Sequence, residues 1–425
     1  MIRRSAFLVE LLRNERRPRE RLLTAQFARL QALLEHAWRH VPAYRDQWRE
    51  HGIEPAQLRE PADLRRWPVI DKLAMRRRGS EAFIDERITD RSELVRCQTS
   101  GSSGTPFEFF FARAHDQWRK AQYLRPYLST GRRLGDQLLR LTANPSTRRP
   151  AFQRLGLLRE TQLDVGAPTS EIEAAWRRLR PDVVQGYGSS LRPLALRTQA
   201  HALPAPRLLY TDSELLAPDC RKLLHDSFGT EPIDVFGSFE TDNIAWQCER
   251  RGGYHVAIDC AVVEVLAADG RPLGPGEGTG DLVVTVLGNF AMPFIRYNLR
   301  DRAAWLASDC SCGRSLPLLD VTAGRADDLL TIGSERRSPM RLLGRFDRLG
   351  TAVSEYRVLQ LTADELLIEV VPGPDWQASL EPALLDWVAR EDGALRARVA
   401  TVASIPRGPS GKYKAFESRL EPPAP

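Results

Sequence analysis

Between Thr99 and Thr105 the chain sets five hydroxyl residues (Thr99, Ser100, Ser102, Ser103, Thr105) and two glycines (Gly101, Gly104), with no bulky apolar side chain among them. Glycines let a turn adopt positive φ and approach a ligand closely. Successive backbone N–H groups in such a turn form a concave anion site, to which hydroxyls add donors. A triphosphate is the natural guest, although no Gly-Lys-Ser/Thr follows, which excludes a Walker-type loop. Taken alone, a Ser/Gly-rich segment is a flexible turn more often than a phosphate cradle. A second group, Cys248, His255, Cys310 and Cys312, offers the three thiolates and one imidazole of a tetrahedral zinc site. Free cysteines are more commonly small core hydrophobes, and the spacing alone does not decide. A third feature is Ile405–Lys414, a Gly/Pro turn holding Lys412, which by turn chemistry is a surface loop.

The elements that must position these residues follow from periodicity. Residues 5–60 read as largely helical, with Leu22, Leu23, Phe27, Leu30, Leu33, Leu34 and Trp38 at three- and four-residue spacing until Pro42. The hydroxyl-rich segment lies between two strand-like runs, Glu93–Cys97 and Phe107–Phe111, and a helix over Asp116–Leu128 follows, which Pro126 is expected to end early. From about residue 134 to 290, strand patterns (Gln137–Thr142, Val183–Gly186, Arg207–Thr211, Ile233–Phe236, Ala261–Leu266, Asp281–Leu287) alternate with helical ones, and the later strands crowd together. This predicts an α/β sheet followed by an antiparallel, β-rich subdomain. A junction is expected near Gly324–Asp328. Beyond it come strands at Tyr356–Leu361 and Glu365–Val371 and a helix at Ala383–Arg390.

The chain has 425 residues, 42% hydrophobic and 27% charged, which fits a soluble globular protein of two or three domains. The net charge of +6 is spread over many Lys and Arg close to acidic residues. Even Arg76-Arg77-Arg78 lacks the interleaved aromatics of a nucleic-acid groove, so no nucleic-acid partner is expected. Glu10 interrupts the first apolar patch and no cleavage site follows, which argues against a signal peptide. No apolar run approaches the roughly 18 residues of a membrane span. Six cysteines in so long a chain do not suggest a disulfide scaffold, and the expected location is a reducing cytoplasm.

Six elements then occur in one order: His36–Tyr44, Thr99–Pro106, Phe236-Gly237-Ser238-Phe239-Glu240, Pro293–Asp301, Gly324–Asp328 and Ser410-Gly411-Lys412. In this series the chain resembles the phenylacetate–coenzyme A ligase family, including its capsule-biosynthesis homologues, within the adenylate-forming enzymes. The resemblance spans roughly residues 30–418. It implies a two-step reaction: ATP and a carboxylic acid give an acyl-adenylate and pyrophosphate, and a thiol, usually coenzyme A, then displaces AMP. By the same resemblance, Thr99, Ser100, Gly101, Ser102, Ser103, Gly104 and Thr105 hold phosphates, and Glu240 is the Mg²⁺-associated carboxylate. Phe236 and Gly237 lie at adenine, Asp301 accepts from the ribose hydroxyls, and Lys412 bridges carboxylate and α-phosphate. Arg325 and Asp327 form the hinge of a mobile C-terminal domain. The fragment Cys310-Ser311-Cys312-Gly313-Arg314 resembles a turn of the family whose positions can hold structural zinc.

Without the series, Asp301 near Arg296 reads as a surface ion pair, Glu240 as a helix N-terminal carboxylate and Phe236 as core. Three residues depart from the family pattern: Phe236 in place of tyrosine, and Arg300 and Ser213 in place of glycine. Each is expected to reshape the nucleotide or acyl pocket, which leaves the acid open. The expectation is therefore an adenylate-forming fold, with a large α/β domain over 1–324 and a small α+β domain over 325–425 carrying Lys412. It uses ATP, Mg²⁺, coenzyme A and, structurally, Zn²⁺. Alternatives are a carrier-protein or amine acceptor, an adenylylating synthetase, or a non-catalytic nucleotide-binding protein on the same fold; a homodimer is also compatible.

Overall fold

The computed structural model describes residues 2–99, 107–146, 150–198, 202–321, 324, 329–333, 335–337, 339, 342–343, 346, 349–391, 393–407 and 414–420. Ser100–Pro106, Arg325, Asp327 and Lys412 lie outside the described residues, and Thr99 is described by its backbone alone. The chain packs into two compact units, Met1–Gly131 with Val235–Val321, and Arg132–Asp234 with Thr322–Pro425.

The first unit opens with helices Ile2–Asn14, Arg19–His40 and Pro42–Glu50. The apolar spacing read from sequence becomes the buried stripe Leu22, Leu30, Leu33, Leu34 and Ala37 of the second helix. That helix stops at His40, and Pro42 begins the next, where its missing N–H removes no intrahelical bond. Strands Leu94–Thr99 and Phe107–Ala112 form an antiparallel hairpin with Thr99 opposite Phe107, so the hydroxyl-rich segment connects two paired strands. Phe107, Phe109 and Phe111 alternate onto the buried face and anchor it. Helix Arg113–Ser129 runs through Pro126 rather than ending early. The proline sits in the last turn, where a lost donor interrupts little of the ladder that remains.

The β-rich part of this unit is an antiparallel ladder. In space its strands run Ala261–Leu266, Gly280–Val286, Tyr297–Trp305, Leu318–Asp320, Tyr254–Val256 and Asp242–Gln247. The two-residue strand Ile70–Asp71 joins Tyr297-Asn298 in parallel, and the Asp71 side chain caps helix Lys72–Arg78 by accepting from the Ala74 N–H at 2.8 Å.

In the second unit, strands Leu208–Asp212, Val183–Gly186, Gln137–Thr142 and Arg159–Asp164 lie side by side and parallel. Helices Thr169–Leu179, Gly188–Thr198 and Pro218–Phe228 alternate with them, and Trp176, Leu191, Leu194, Leu209, Leu224 and Phe228 lie in their common core. This is the α/β layer that alternation implies. The C-terminal part carries a four-stranded sheet in the order Arg396–Thr401, Glu365–Pro372, Val353–Gln360, Phe416–Ser418, together with helix Leu380–Glu391. Within this unit Arg192 of helix Gly188–Thr198 donates to the Val353 and Ser354 carbonyls at 2.9 and 2.7 Å. The fold class is α/β, as the sequence implied.

Candidate functional site

Glu240 sits at the tip of a hairpin between Ile233–Ser238 and Asp242–Gln247, not at a helix N-terminus. The hairpin register shifts at Phe236/Gly237, a bulge that re-aims the turn. Gly237 is required there, because a Cβ would lie 2.0 Å from the Asp242 carbonyl oxygen. Asp242 closes the turn in the left-handed region at φ +58°, which aspartate tolerates better than most residues. The Ser238 hydroxyl accepts from the Thr241 N–H at 3.2 Å, tightening the tip. Phe236 is half-buried rather than core, and so retains a face for a ligand.

Glu240 is 7% exposed, and the buried Tyr297 hydroxyl donates to its Oε1 at 3.2 Å. Among the described residues its Oε2 has no hydrogen-bond partner. One hard oxygen donor, with the remainder supplied by phosphates and water, is the kind of protein ligation Mg²⁺ accepts, so the residue present fits that ion. Tyr297 begins the strand Tyr297–Trp305, which carries the half-buried Asp301 four residues on. The hydroxyl thus fastens the Glu240 turn to the strand that bears Asp301. Sequence reading quoted Tyr297 as part of a motif and missed this role, since nothing in the local pattern tells which aromatic reaches a turn 57 residues away.

Arg296 is not paired with Asp301. It is 3% exposed, forms a two-pronged pair with Glu264 at 2.9 Å for both contacts, and donates to the backbone carbonyls of Arg65 and Trp67. Burial pushes the Glu264 carboxyl up, and the Arg296 guanidinium opposes that shift. The backbone is left-handed at Arg296 (φ +46°) and Arg300 (φ +63°). Arg300 pairs with Asp71 at 3.2 Å. Two of the three departures from the family pattern, Arg300 and Ser213 (φ +67°), are positions of left-handed backbone. Glycine is at home there for conformational reasons, so these two substitutions bear on the backbone before they bear on any pocket.

The second candidate site is a cluster of four side chains. Cys248 directly follows the Asp242–Gln247 strand, His255 lies on Tyr254–Val256, and Cys310 and Cys312 come from the turn before Leu318–Asp320. Their donor atoms all lie within 4.8 Å of one another, with Cys248 Sγ 3.6 Å from Cys310 Sγ and Cys312 Sγ 3.4 Å from His255 Nε2. Zn–S bonds of about 2.3 Å and Zn–N bonds of about 2.0–2.1 Å at tetrahedral angles require edges of about 3.5–3.8 Å. The donor set therefore fits zinc in chemistry, and the two shortest edges lie close to the required spacing. Burial, reinforced by Arg314, lowers His255 to about 4, which keeps the imidazole a neutral ligand. Burial raises Cys248 to about 12, whereas at Cys312 hydrogen bonds with Arg314 outweigh burial and favour the thiolate. Arg314 is itself fixed by Glu15 at 2.8 Å.

No protein-family model matches the chain. It is 26% identical over 406 residues to the phenylacetate–coenzyme A ligase of Thermus thermophilus, covering 90% of this chain and 89% of that protein. To the phenylacetate–coenzyme A ligase of Escherichia coli K12 it is 26% identical over 354 residues, covering 76% and 75%. Among solved structures it matches 2-hydroxyisobutyryl-CoA ligase, in its postadenylation state in complex with R3-HIB-AMP. The TM-score is 0.78 at 25% identity, with 96% of this chain and 91% of that one covered. The chain is thus similar to the phenylacetate–coenzyme A ligases and has the fold of the adenylate-forming ligases.

Proposed function

We propose that this chain is an ATP-dependent, AMP-forming acid–thiol ligase that activates an aryl or acyl carboxylate and passes it to coenzyme A. The observation that carries this reading is the likeness to coenzyme A ligases along nearly the whole length of both chains. In the first step a carboxylate oxygen bonds to the α-phosphorus of ATP as the bond to the β-phosphate breaks and pyrophosphate leaves. In the second, the thiol sulfur bonds to the acyl carbon as the acyl–phosphate bond breaks, AMP leaves and the thiol proton is released. The substrates are a small carboxylic acid, ATP and a thiol.

Each residue role meets a physical demand of that chemistry. An anionic carboxylate approaching an anionic phosphate needs donors and cations aimed at the developing charge. Thr99, Ser100, Gly101, Ser102, Ser103, Gly104 and Thr105 supply N–H and hydroxyl donors to the phosphates. Glu240 holds Mg²⁺, which when bound neutralises phosphate charge. Asp301 accepts from the ribose hydroxyls, and Phe236 and Gly237 pack against adenine. Lys412, a point charge on the small domain 325–425, serves adenylation, and Arg325 and Asp327 form the hinge of that domain. Cys248, His255, Cys310 and Cys312 hold a structural zinc, a closed set with no position left for substrate.

The test is pyrophosphate release from ATP across a panel of carboxylic acids, followed by analysis of AMP and of the acyl product with coenzyme A, an amine or a carrier-protein thiol as acceptor. Acid-dependent pyrophosphate with free AMP and a thioester is the expected result. A product that retains the nucleotide points to adenylyl transfer, and no pyrophosphate with any acid leaves a binding protein.

A further inference from the structure

Arg119, on the helix Arg113–Ser129, touches both elements that shape the proposed nucleotide site. Its Nε donates to both carboxylate oxygens of Asp242, at 3.0 and 2.8 Å, and its Nη2 donates to Oδ1 at 2.8 Å. Nη2 also reaches the Phe239 carbonyl at 3.4 Å, so one guanidinium grips the residue before Glu240 and the residue two after it. On its other side Nη1 lies 3.7 Å from Cys97 Sγ, two residues before Thr99 on the strand that leads into the Ser/Gly segment. Its Cζ lies over the Phe111 ring, 3.5 Å from the centroid, on the strand Phe107–Ala112. Both members of the Arg119–Asp242 pair have side chains 13% exposed.

The geometry points to Arg119 as a positioning residue for Glu240: it fixes the Glu240 turn against the hairpin of Leu94–Thr99 and Phe107–Ala112, and so sets where the carboxylate proposed to hold Mg²⁺ stands. This rests on the ligase reading above. The planar fork suits the task, because it spends its donors on a carboxylate, a carbonyl and a thiol while its charge sits over an aromatic ring. A lysine would supply the charge without the fork. The turn needs such a restraint, since Asp242 holds a left-handed backbone and the strand register slips at Phe236/Gly237. Burial alone pushes the Asp242 carboxyl up, and Arg119 is the cation opposing it.

The full-length protein provides the test through three variants. Arg119→Lys keeps the charge, Arg119→Gln removes it, and Arg119→Gln with Asp242→Asn leaves no buried unpaired charge. Two readouts are taken: calorimetric ATP affinity as a function of Mg²⁺ concentration, and the Mg²⁺ dependence, kcat and KM for the acid in pyrophosphate release. If Arg119 positions Glu240, the double variant regains the wild-type melting temperature yet still needs at least about tenfold more Mg²⁺ for half-maximal ATP binding. Its kcat falls by a similar factor while KM for the acid moves less than about twofold. Arg119→Lys should likewise melt near wild type and show the same Mg²⁺ defect. Recovery of the wild-type Mg²⁺ dependence together with stability, in either variant, would reduce Arg119 to a fold-stabilising residue and overturn the inference. Absence of pyrophosphate release from the wild type sinks the ligase reading instead, and the ATP-binding series still decides the role of Arg119.

Discussion

The Cys248, His255, Cys310 and Cys312 cluster and the Glu240 turn belong to the same compact unit, yet they are built in opposite ways. In the cluster four donors converge from three segments, and each of them faces the others. At Glu240 a single carboxylate stands at a hairpin tip, one oxygen held by Tyr297 and the other left for what arrives. A closed donor set completes its coordination with the fold, so a metal bound there contributes folding free energy. An open donor set completes its coordination with substrate, so its contribution appears in the reaction. The contrast teaches where each site is to be measured: the cluster in stability, the turn in rate.

The largest expected effects fall on the open site. Glu240→Gln preserves shape and the acceptor for Tyr297 but removes the charge that draws Mg²⁺. It should slow adenylate formation by about 10²–10³, the usual cost of losing one preorganised electrostatic group. The melting temperature should change little. Lys412→Ala should slow the same step by a similar factor, while thioester formation from a supplied acyl-adenylate is much less affected, because no substrate carboxylate then has to be drawn against an anionic phosphate. Single-turnover kinetics of each half-reaction measures both. An equal fall in the two steps for Lys412→Ala contradicts its assignment to adenylation.

The closed site should behave in reverse. Protein purified without added zinc should carry about one zinc per chain by metal analysis. A ligand present at 1,000 times its Kd stabilises by about 4.1 kcal/mol. For a unit of about 200 residues that corresponds to a fall in Tm of about 8–16 °C on chelation. Cys310→Ser should show the same fall and lose the metal. If chelated protein melts unchanged, or if ATP affinity falls before stability does, the division between closed and open sites is wrong.

What the sequence could show depended on whether the signal was local. The strands Gln137–Thr142, Val183–Gly186 and Ala261–Leu266 coincide with their apolar runs, because burial writes itself into consecutive residues. Arg159–Asp164 escaped notice: it carries Arg-Glu-Thr-Gln-Leu-Asp at the end of its parallel row, with no fully buried residue. The cluster was visible because only a few residue types ligate zinc. Arg119 was not, since one arginine among 61 basic residues looks like any solvated helix charge until its partners 120 and 123 positions away are known. The same limit applies to Arg296, whose partner Glu264 lies 32 residues off, although the nearby Asp301 offers itself as the alternative in sequence.

The smallest effects belong to Ser213 and Arg300, the two departures from glycine. A left-handed conformation costs a non-glycine residue about 1–2 kcal/mol. Glycine returns about 0.5–1 kcal/mol of that through the extra freedom it loses on folding. The balance favours glycine by about 0–1.5 kcal/mol wherever the replaced side chain contributes nothing else. Ser213 is exposed, and its hydroxyl makes no hydrogen bond among the described residues, so Ser213→Gly should realise that gain in full. Arg300 differs, because its half-buried side chain pairs with Asp71 at 3.2 Å, a contact of about 0–1 kcal/mol. Arg300→Gly relieves the backbone but forfeits the pair and the side chain's other interactions, so its gain should fall below that of Ser213→Gly. Asp71→Asn separates them: it removes the charge on Oδ2 while keeping an oxygen to cap the Ala74 N–H. In that background Arg300→Gly should be more favourable than with Asp71 intact, by about the worth of the lost pair. Denaturant melts at fixed m-value resolve differences of this size. A loss of stability in Ser213→Gly, or no difference between the two Arg300→Gly backgrounds, contradicts the backbone account and returns these positions to the pocket.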